Sequence, residues 1–317
     1  MDRILRGIIR YRYLDRDVMV KQFQKVKDNP QPKAVFFTCM DSRMIPTRFT
    51  ETCVGDMFVV RNAGNLIPHS QHFADEHTSC EPAALELGCI INDIRHVIVC
   101  GHTDCKAMNL LYTLRDKNES SQDNRRLSPL KSWLCTHAHS SLDKFLGMNG
   151  DFKQPMVFTA ETELMKFVAY IDPEDKFAIE DKLSQQLGIQ SHYLPSHCLP
   201  FHCLPSHCLP LRSPSPSSPI PASPSSANLP LLHSALFPFP TKFNIFFQVN
   251  TLQQLSNIAS YGFLKKKLQS HKLHIHALWF DIYTGDIYYF SRRAKKFVII
   301  DENTFDTLLA EIRRYYS

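Results

Sequence analysis

The chain is predicted to be an α/β protein, with a central, mostly parallel sheet flanked by helices and an N-terminal helical arm in front of it. Three short apolar runs carry that expectation: Ala34-Val35-Phe36-Phe37-Thr38, Met57-Phe58-Val59-Val60 and Val97-Ile98-Val99-Cys100-Gly101, each closed by turn-forming residues. Runs this short, without polar alternation, are what strands buried on both faces look like. Helical patterns follow the second and third runs, and strands that alternate with helices build a parallel sheet.

Taken in order, the first element is the arm. Met1 to Tyr13 carry Arg3, Arg6, Arg10 and Arg12 against a single Asp2, with Ile4, Leu5, Ile8 and Ile9 on an apolar face. This composition suits a mitochondrial targeting helix, although it lacks the serines of many such peptides; it equally suits an arm packed on a partner subunit. The expected location is mitochondrial, with the cytoplasm as the alternative. The strand 34–38 leads into Cys39, and the strand 57–60 leads into the turn Asn62-Ala63-Gly64-Asn65. A helix is expected to begin near Ser79, with Pro82 in its first turn and Ala83, Ala84, Leu87 and Ile91 inward. The strand ending at Gly101 precedes a helix through Met108, Leu111 and Leu114. Farther on, Leu273 to Ile282 and Asp286 to Phe290 read as strands around Thr284-Gly285. Thr304 to Tyr315 read as a closing helix, with Phe305, Leu308, Leu309 and Ile312 inward.

Composition sets the broad class. In 317 residues, 44% hydrophobic and 21% charged, there is enough apolar material for a substantial core. No apolar run approaches the roughly 20 residues needed to cross a bilayer, so no membrane role is expected. The net charge of +5 is small and dispersed, which argues against nucleic acid or an acidic surface as partner. Ten cysteines could suggest a disulfide framework, but Cys80, Cys89 and Cys100 lie in strand or helix patterns where a small buried thiol packs well, so a reducing compartment is expected.

The two strands that end first and third are each followed by a chemical motif. Cys39-Met40-Asp41-Ser42-Arg43 follows one, and His102-Thr103-Asp104-Cys105 follows the other. Open α/β sheets build their sites at the carboxyl ends of strands, where segments distant in sequence can meet. Two thiolates and one imidazole form a zinc set with one position left open, the arrangement that generates hydroxide at neutral pH. Such a site is formally neutral and therefore a weaker Lewis acid than a three-histidine site, so help from neighbouring groups is expected. Asp41 is close enough in sequence to accept a hydrogen bond from zinc-bound water or to ligate zinc itself, and Arg43 is a natural fork for its carboxylate. An ordinary surface Asp–Arg pair would be worth only about 0–1 kcal/mol.

These residues resemble a β-class carbonic anhydrase, and more closely the animal members of that family. The likeness covers most of residues 1–185 and 249–317. It rests on three blocks in order, Val35 to Arg43, Val60-Arg61-Asn62-Ala63-Gly64-Asn65, and Cys100 to Cys105. The resemblance implies that Cys39, His102 and Cys105 bind Zn²⁺, that Asp41 and Arg43 are the catalytic pair beside the fourth coordination position, and that the reaction is the reversible hydration of carbon dioxide to bicarbonate and a proton. It also implies a homodimer or higher homo-oligomer with the site near the subunit interface. In one departure, Lys106-Ala107 stands where many members have two glycines; those glycines are not ligands.

Residues 186–248 do not fit this pattern. They hold 12 of the chain's 20 prolines and no acidic residue, and they open on the repeat Leu194-Pro195-Ser196-His197-Cys198, Leu199-Pro200-Phe201-His202-Cys203, Leu204-Pro205-Ser206-His207-Cys208. Low-complexity sequence of this kind is expected to be disordered. Residues 1–185 and 249–317 then form one discontinuous zinc-enzyme domain. With the insert removed, Ile179, Leu183, Val249, Leu252, Leu255 and Ile258 form one amphipathic stripe, so the insert interrupts a single helix. Gly188 could end the first half, and Thr251-Leu252-Gln253-Gln254 would be a capping box for the second. Phe246-Phe247-Gln248 can be encoded by a pyrimidine run closing in CAG, and the segment reads as a retained intron.

The leading function is a zinc lyase acting on carbon dioxide and bicarbonate, with carbonyl sulfide or carbon disulfide hydrolysis as a variation on the same fold. The alternative is a non-catalytic, zinc-stabilised binding protein in which Asp41 closes the site. A redox role is disfavoured because the chain lacks a Cys-x-x-Cys pair.

Overall fold

The computed structural model describes residues 1–75, 79–115, 128–159, 165–171 and 241–316. The arm is two helices, α1 (Asp2–Leu14) and α2 (Arg16–Asp28), neither of which buries a residue. Then come β1 (Ala34–Cys39), the single turn α3 (Pro46–Phe49) and β2 (Met57–Asn62). The short α4 (Ser70–Asp75) and α5 (Cys80–Leu85) precede β3 (His96–His102), and α6 (Lys106–Thr113) follows it. Next are α7 (Pro129–His137), α8 (His139–Gly147) and the hairpin of β4 (Met156–Thr159) with β5 (Lys166–Ala169). The chain closes with α9 (Thr241–Ala259), α10 (Lys265–Gln269), β6 (His274–Phe280), β7 (Ile287–Ser291), β8 (Lys296–Ile299) and α11 (Phe305–Tyr316).

The expected sheet is present. Its six strands lie in the order β2-β1-β3-β6-β7-β8. β2, β1, β3 and β6 are parallel, and β7 and β8 add an antiparallel edge. Every residue of β1 is buried, as a strand covered on both faces requires, whereas β2 at the edge is only partly covered. The 278–280 segment of β6 turns back through Gly285, at φ +81°, to pair with 287–289 of β7. β8 and the β4–β5 hairpin have no counterpart in the sequence reading; at four residues each they are too short for a periodic signal.

The helix after Ser79 forms, with Pro82 in its first turn, but its inner face differs from the expected one. The residues it buries are Glu81, Pro82, Leu85, Gly88 and Cys89, while Leu87 is 48% and Ile91 69% exposed. From Glu86 to Ile91 the turn widens to a π-helix, closed by the Asn92 amide on the Leu87 carbonyl, and this rotates the faces away from a 3.6-residue extrapolation. Close approach does the rest: a Cβ on Gly88 would stand 2.3 Å from Val35 Cγ2, so only glycine lets the helix meet β1 there. Cys89 and Cys100 are buried as expected, and burial pushes the Cys89 thiol up to about 12; Cys80 is exposed, because it begins the helix rather than facing the sheet.

The insert boundary also needs correction. α9 begins at Thr241, eight residues before Val249, and Ile245, Phe246, Phe247 and Gln248 are buried. Val249, Leu252, Leu255 and Ile258 all face the core as expected. Thr251 starts no helix: in mid-helix its hydroxyl donates to the Phe247 carbonyl at 3.0 Å, so the capping box is absent. Apolar phenylalanines at helical spacing extend the stripe whatever their origin. Ile179, Leu183, Gly188 and the repeat lie outside the described residues. Although α9 is buried along most of its length, no helix among the described residues is long and apolar enough to cross a membrane. In α11, Leu308 points inward but Phe305 is 53% exposed. Glu311 is buried instead, since its carboxylate accepts the Ser291 hydroxyl at 2.6 Å and the Arg292 amide at 2.8 Å at the β7–β8 turn.

The boundary can be tested directly. Phe246→Ala should cost about 3–5 kcal/mol, the range for emptying a buried aromatic site, and lower the melting temperature accordingly. A disordered insert ending at Gln248 would leave it unchanged.

A histidine cluster at the amino ends of β3 and β6 gives the fold a pH dependence. His96 Nδ1 lies 3.1 Å from His276 Nε2, and His276 Nδ1 lies 3.1 Å from the Tyr289 hydroxyl. Burial, then the neighbouring His96, pushes His276 down to about 3 and His274 down to about 4. The unfolded chain takes up these protons near 6.5, whereas the folded chain does not until about 4 or below. Stability should therefore fall as pH drops from about 6.5 to about 4. Urea midpoints measured across that window should decline, and His276→Gln should make the decline shallower; an unchanged slope in the variant would remove this cluster from the account.

Candidate metal centre

β1 and β3 are hydrogen-bonded neighbours in register, with Thr38 opposite Cys100, so the residues that end them emerge side by side. Cys39 is the last residue of β1 and His102 the last of β3. The chain then turns through Asp104, at φ +54°, a left-handed conformation that Asp tolerates better than most residues. That turn brings Cys105 back as the N-cap of α6. The sequence motifs thus meet: ligand atoms of Cys39, His102 and Cys105 all lie within 4.8 Å of one another, and the two sulfurs are 3.8 Å apart. All three side chains are at least 96% buried.

The donor set fits a metal. His102 Nδ1 lies 2.7 Å from the Thr103 carbonyl, which can only accept, so Nδ1 carries the proton and Nε2 presents its lone pair. Nε2 is fully buried and has no hydrogen-bond partner among the described residues. An orphaned imidazole lone pair beside two thiols is costly unless a cation satisfies it. Thr103 is fixed on the far side, its amide on the Phe280 carbonyl at 3.1 Å and its hydroxyl 3.2 Å from Asp281 Oδ1. The thiols themselves are coupled. A hydrogen bond from Cys105 pushes Cys39 down against its burial, while the same bond and burial hold Cys105 up. A metal bound by both sulfurs would displace their protons.

Asp41 and Arg43 sit in the loop beyond β1 and are paired tightly. Asp41 Oδ1 accepts the Arg43 amide and Nε, both at 2.9 Å, and Oδ2 accepts Nη2 at 2.8 Å. These bonds hold the Asp41 carboxyl well below the usual carboxylate range and raise Arg43. Arg43 also reaches the second motif, with Nη1 3.0 Å from Asp104 Oδ2 and Nη2 3.3 Å from the Asp104 carbonyl. Asp41 is not part of the three-residue cluster, the only such group among the described residues.

Two residues here had no role in the sequence reading. Arg61, at the end of β2, donates from Nε to the Cys39 carbonyl at 3.1 Å and from Nη2 to the Asp41 carbonyl at 2.6 Å, fixing the backbone between ligand and carboxylate. Asp104 is the other carboxylate that holds Arg43. The only sequence signal for either was position: a charge at the carboxyl end of a strand or inside a ligand motif.

Comparison with known proteins agrees with this geometry. The carbonic anhydrase family model matches residues 34–167. Beta carbonic anhydrase 1 of Caenorhabditis elegans is 39% identical to the chain, covering 100% of it and 94% of its own length. The protein of the same name from Caenorhabditis briggsae is 38% identical over 99% of this chain and 93% of its own. Among solved structures, that of the beta-carbonic anhydrase CcaA superposes with a TM-score of 0.58 at 20% identity, covering 95% of this chain and 92% of the other, a likeness of fold.

Replacement of any one ligand should empty the centre. The unaltered chain is expected to bind one metal ion per chain, and Cys39→Ser, His102→Ala and Cys105→Ser are each expected to lose it. Full occupancy in all three by elemental analysis would rule the cluster out.

Proposed function

The chain belongs to the β-class carbonic anhydrase family, and from that premise we propose that it interconverts carbon dioxide and bicarbonate at a zinc ion held by Cys39, His102 and Cys105. The observation that carries this reading is the buried, unpartnered Nε2 of His102 facing two cysteine sulfurs, with the Asp41 carboxylate alongside but outside the ligand cluster. Zinc in such a set supplies hydroxide at neutral pH by lowering the pKa of water to about 7. That hydroxide would serve as the nucleophile toward carbon dioxide, and conversion of carbon dioxide and water to bicarbonate releases one proton per turnover.

The protein's own part is orientation. A carboxylate has about four acceptor positions, and Arg43 and its amide occupy three of those on Asp41: two on Oδ1 and one on Oδ2. The remaining position on Oδ2 can accept one O–H. It therefore favours species that present a proton, water, hydroxide or bicarbonate, over anions that have none. Since Arg43 keeps Asp41 ionised, this preference persists across neutral pH. The competing reading, a closed structural site with Asp41 as fourth ligand, is disfavoured because Arg43 already engages both carboxylate oxygens. The exposed stripe Ile4, Leu5, Ile8 and Ile9 of α1 suits an arm laid across a second copy of the chain, so the proposed assembly is a homodimer or higher homo-oligomer.

Asp41→Asn tests this division of labour. The variant should retain zinc yet lose at least about 10²-fold in carbon dioxide hydration, the lower range for acid–base assistance. Stopped-flow rates equal to those of the unaltered enzyme at full zinc occupancy would reduce the Asp41–Arg43 pair to a structural role.

A further inference from the structure

Segment 64–70, which follows β2, makes five of its backbone hydrogen bonds with a stretch far away in sequence, three with α9 and two with Ser260 and Tyr261 just beyond its end. Asn250 Nδ2 donates to the Gly64 carbonyl at 3.0 Å. Gln254 Oε1 accepts the Ile67 amide at 2.7 Å, and Asn257 Nδ2 donates to the Ile67 carbonyl at 2.8 Å. The Tyr261 hydroxyl donates to the Pro68 carbonyl at 2.7 Å, and Ser260 Oγ accepts the Ser70 amide at 3.0 Å. Asn250, Gln254 and Asn257 are spaced four and three apart, on one face of α9, and are at most 1% exposed. Buried amides are expensive unless paired; besides the loop and one another, these three meet the Ser141 hydroxyl, which donates to Asn250 Oδ1 at 3.0 Å, Gln253 Nε2, which donates to Asn257 Oδ1 at 3.0 Å, and the Asn250 carbonyl, which accepts from Gln254 Nε2 at 3.0 Å.

The loop they hold lies against both cysteines of the candidate centre. Asn62, where the loop starts, is in register with Cys39, and its carbonyl accepts the Met40 amide at 2.9 Å. Gly64 is pressed onto the start of α6, the helix that Cys105 caps: a Cβ there would meet Met108 Cε at 2.7 Å and Ala107 Cβ at 3.6 Å. We propose that Asn250 is a positioning residue for the metal centre, acting through the Gly64 carbonyl to hold the 62–67 loop against Cys39 and the head of α6. The Gly64 amide also hydrogen-bonds the Cys39 sulfur, so a loop that shifts changes the surroundings of that atom.

This inference rests on the reading of Cys39 as a metal ligand, and the experiment separates the two. The full chain is loaded with Co²⁺, and the thiolate-to-cobalt absorption band and the rate of metal loss to a chelator are recorded for Asn250→Ala and Ser141→Ala. Asn250→Ala should shift the band and release metal about 10-fold faster, the lower range for losing a partner behind a ligand. Ser141→Ala removes a bond to the same side chain but not the one to Gly64, so it should change neither. If Asn250→Ala does not fold, the double variant with Ser141→Ala leaves no orphaned hydroxyl and should show the same shift. A band and release rate identical to those of the unaltered protein overturn the role of Asn250 alone. Failure of the unaltered chain to bind Co²⁺ overturns the metal-centre reading and this inference with it.

Discussion

The structure depends on the parallel pairing of β1 with β3. Because these strands are adjacent and in register, Cys39 and His102 leave the sheet at the same end and one strand spacing apart. The turn at Asp104 then needs only a few residues to return Cys105 to the same point. Had the two strands been separated by a third, no short turn would bring an imidazole and two sulfurs within 4.8 Å. The rest of the site is arranged around that convergence. Arg43 links the loop after β1 to the turn after β3 through Asp41 and Asp104, and Arg61 reaches in from β2 to hold the intervening carbonyls. Three neighbouring strands each deliver part of the centre.

Helix α9 shows how the remainder of the fold serves this end. It is buried on every side from Ile245 to Ala259, yet it carries Asn250, Gln254 and Asn257 among several other buried polar residues. Such polar groups stabilise only when fully paired, and here Asn250, Gln254 and Asn257 pair with the backbone of segment 64–67, with one another, and with Ser141 and Gln253. Core and site are joined through the same side chains. The helix begins inside the stretch that reads as a low-complexity insert, so residues 241–248 contribute to the layer that backs the metal loop.

Errors in the sequence reading have specific causes. The inner face of the helix after Ser79 was extrapolated at 3.6 residues per turn, and the π-helix from Glu86 to Ile91 breaks that period. Phe305 sits in an apolar stripe that implies an inward side chain, while buried Glu311 answers to the backbone amides of a hairpin turn that no helical pattern could reveal. Phe246 and Phe247 were assigned to disorder with the proline-rich stretch before them, although their own spacing continued the stripe of Val249 and Leu252.

The parallel sheet, the clustering residues Cys39, His102 and Cys105, and the Asp41–Arg43 pair are all legible before folding, because each is written in short range: an apolar run, a turn, a motif of four or five residues. The tertiary structure alone decided which groups hold that site in place. Asp104 on Arg43, Arg61 on the Cys39 and Asp41 carbonyls, and Asn250 on Gly64 are contacts across 61, 22, 20 and 186 residues of chain. The physical reason lies in the acceptors, most of which are backbone carbonyls. A carbonyl has no side-chain identity to read, and its availability to a distant donor is fixed only once the sheet, the helices and the turns between them have packed.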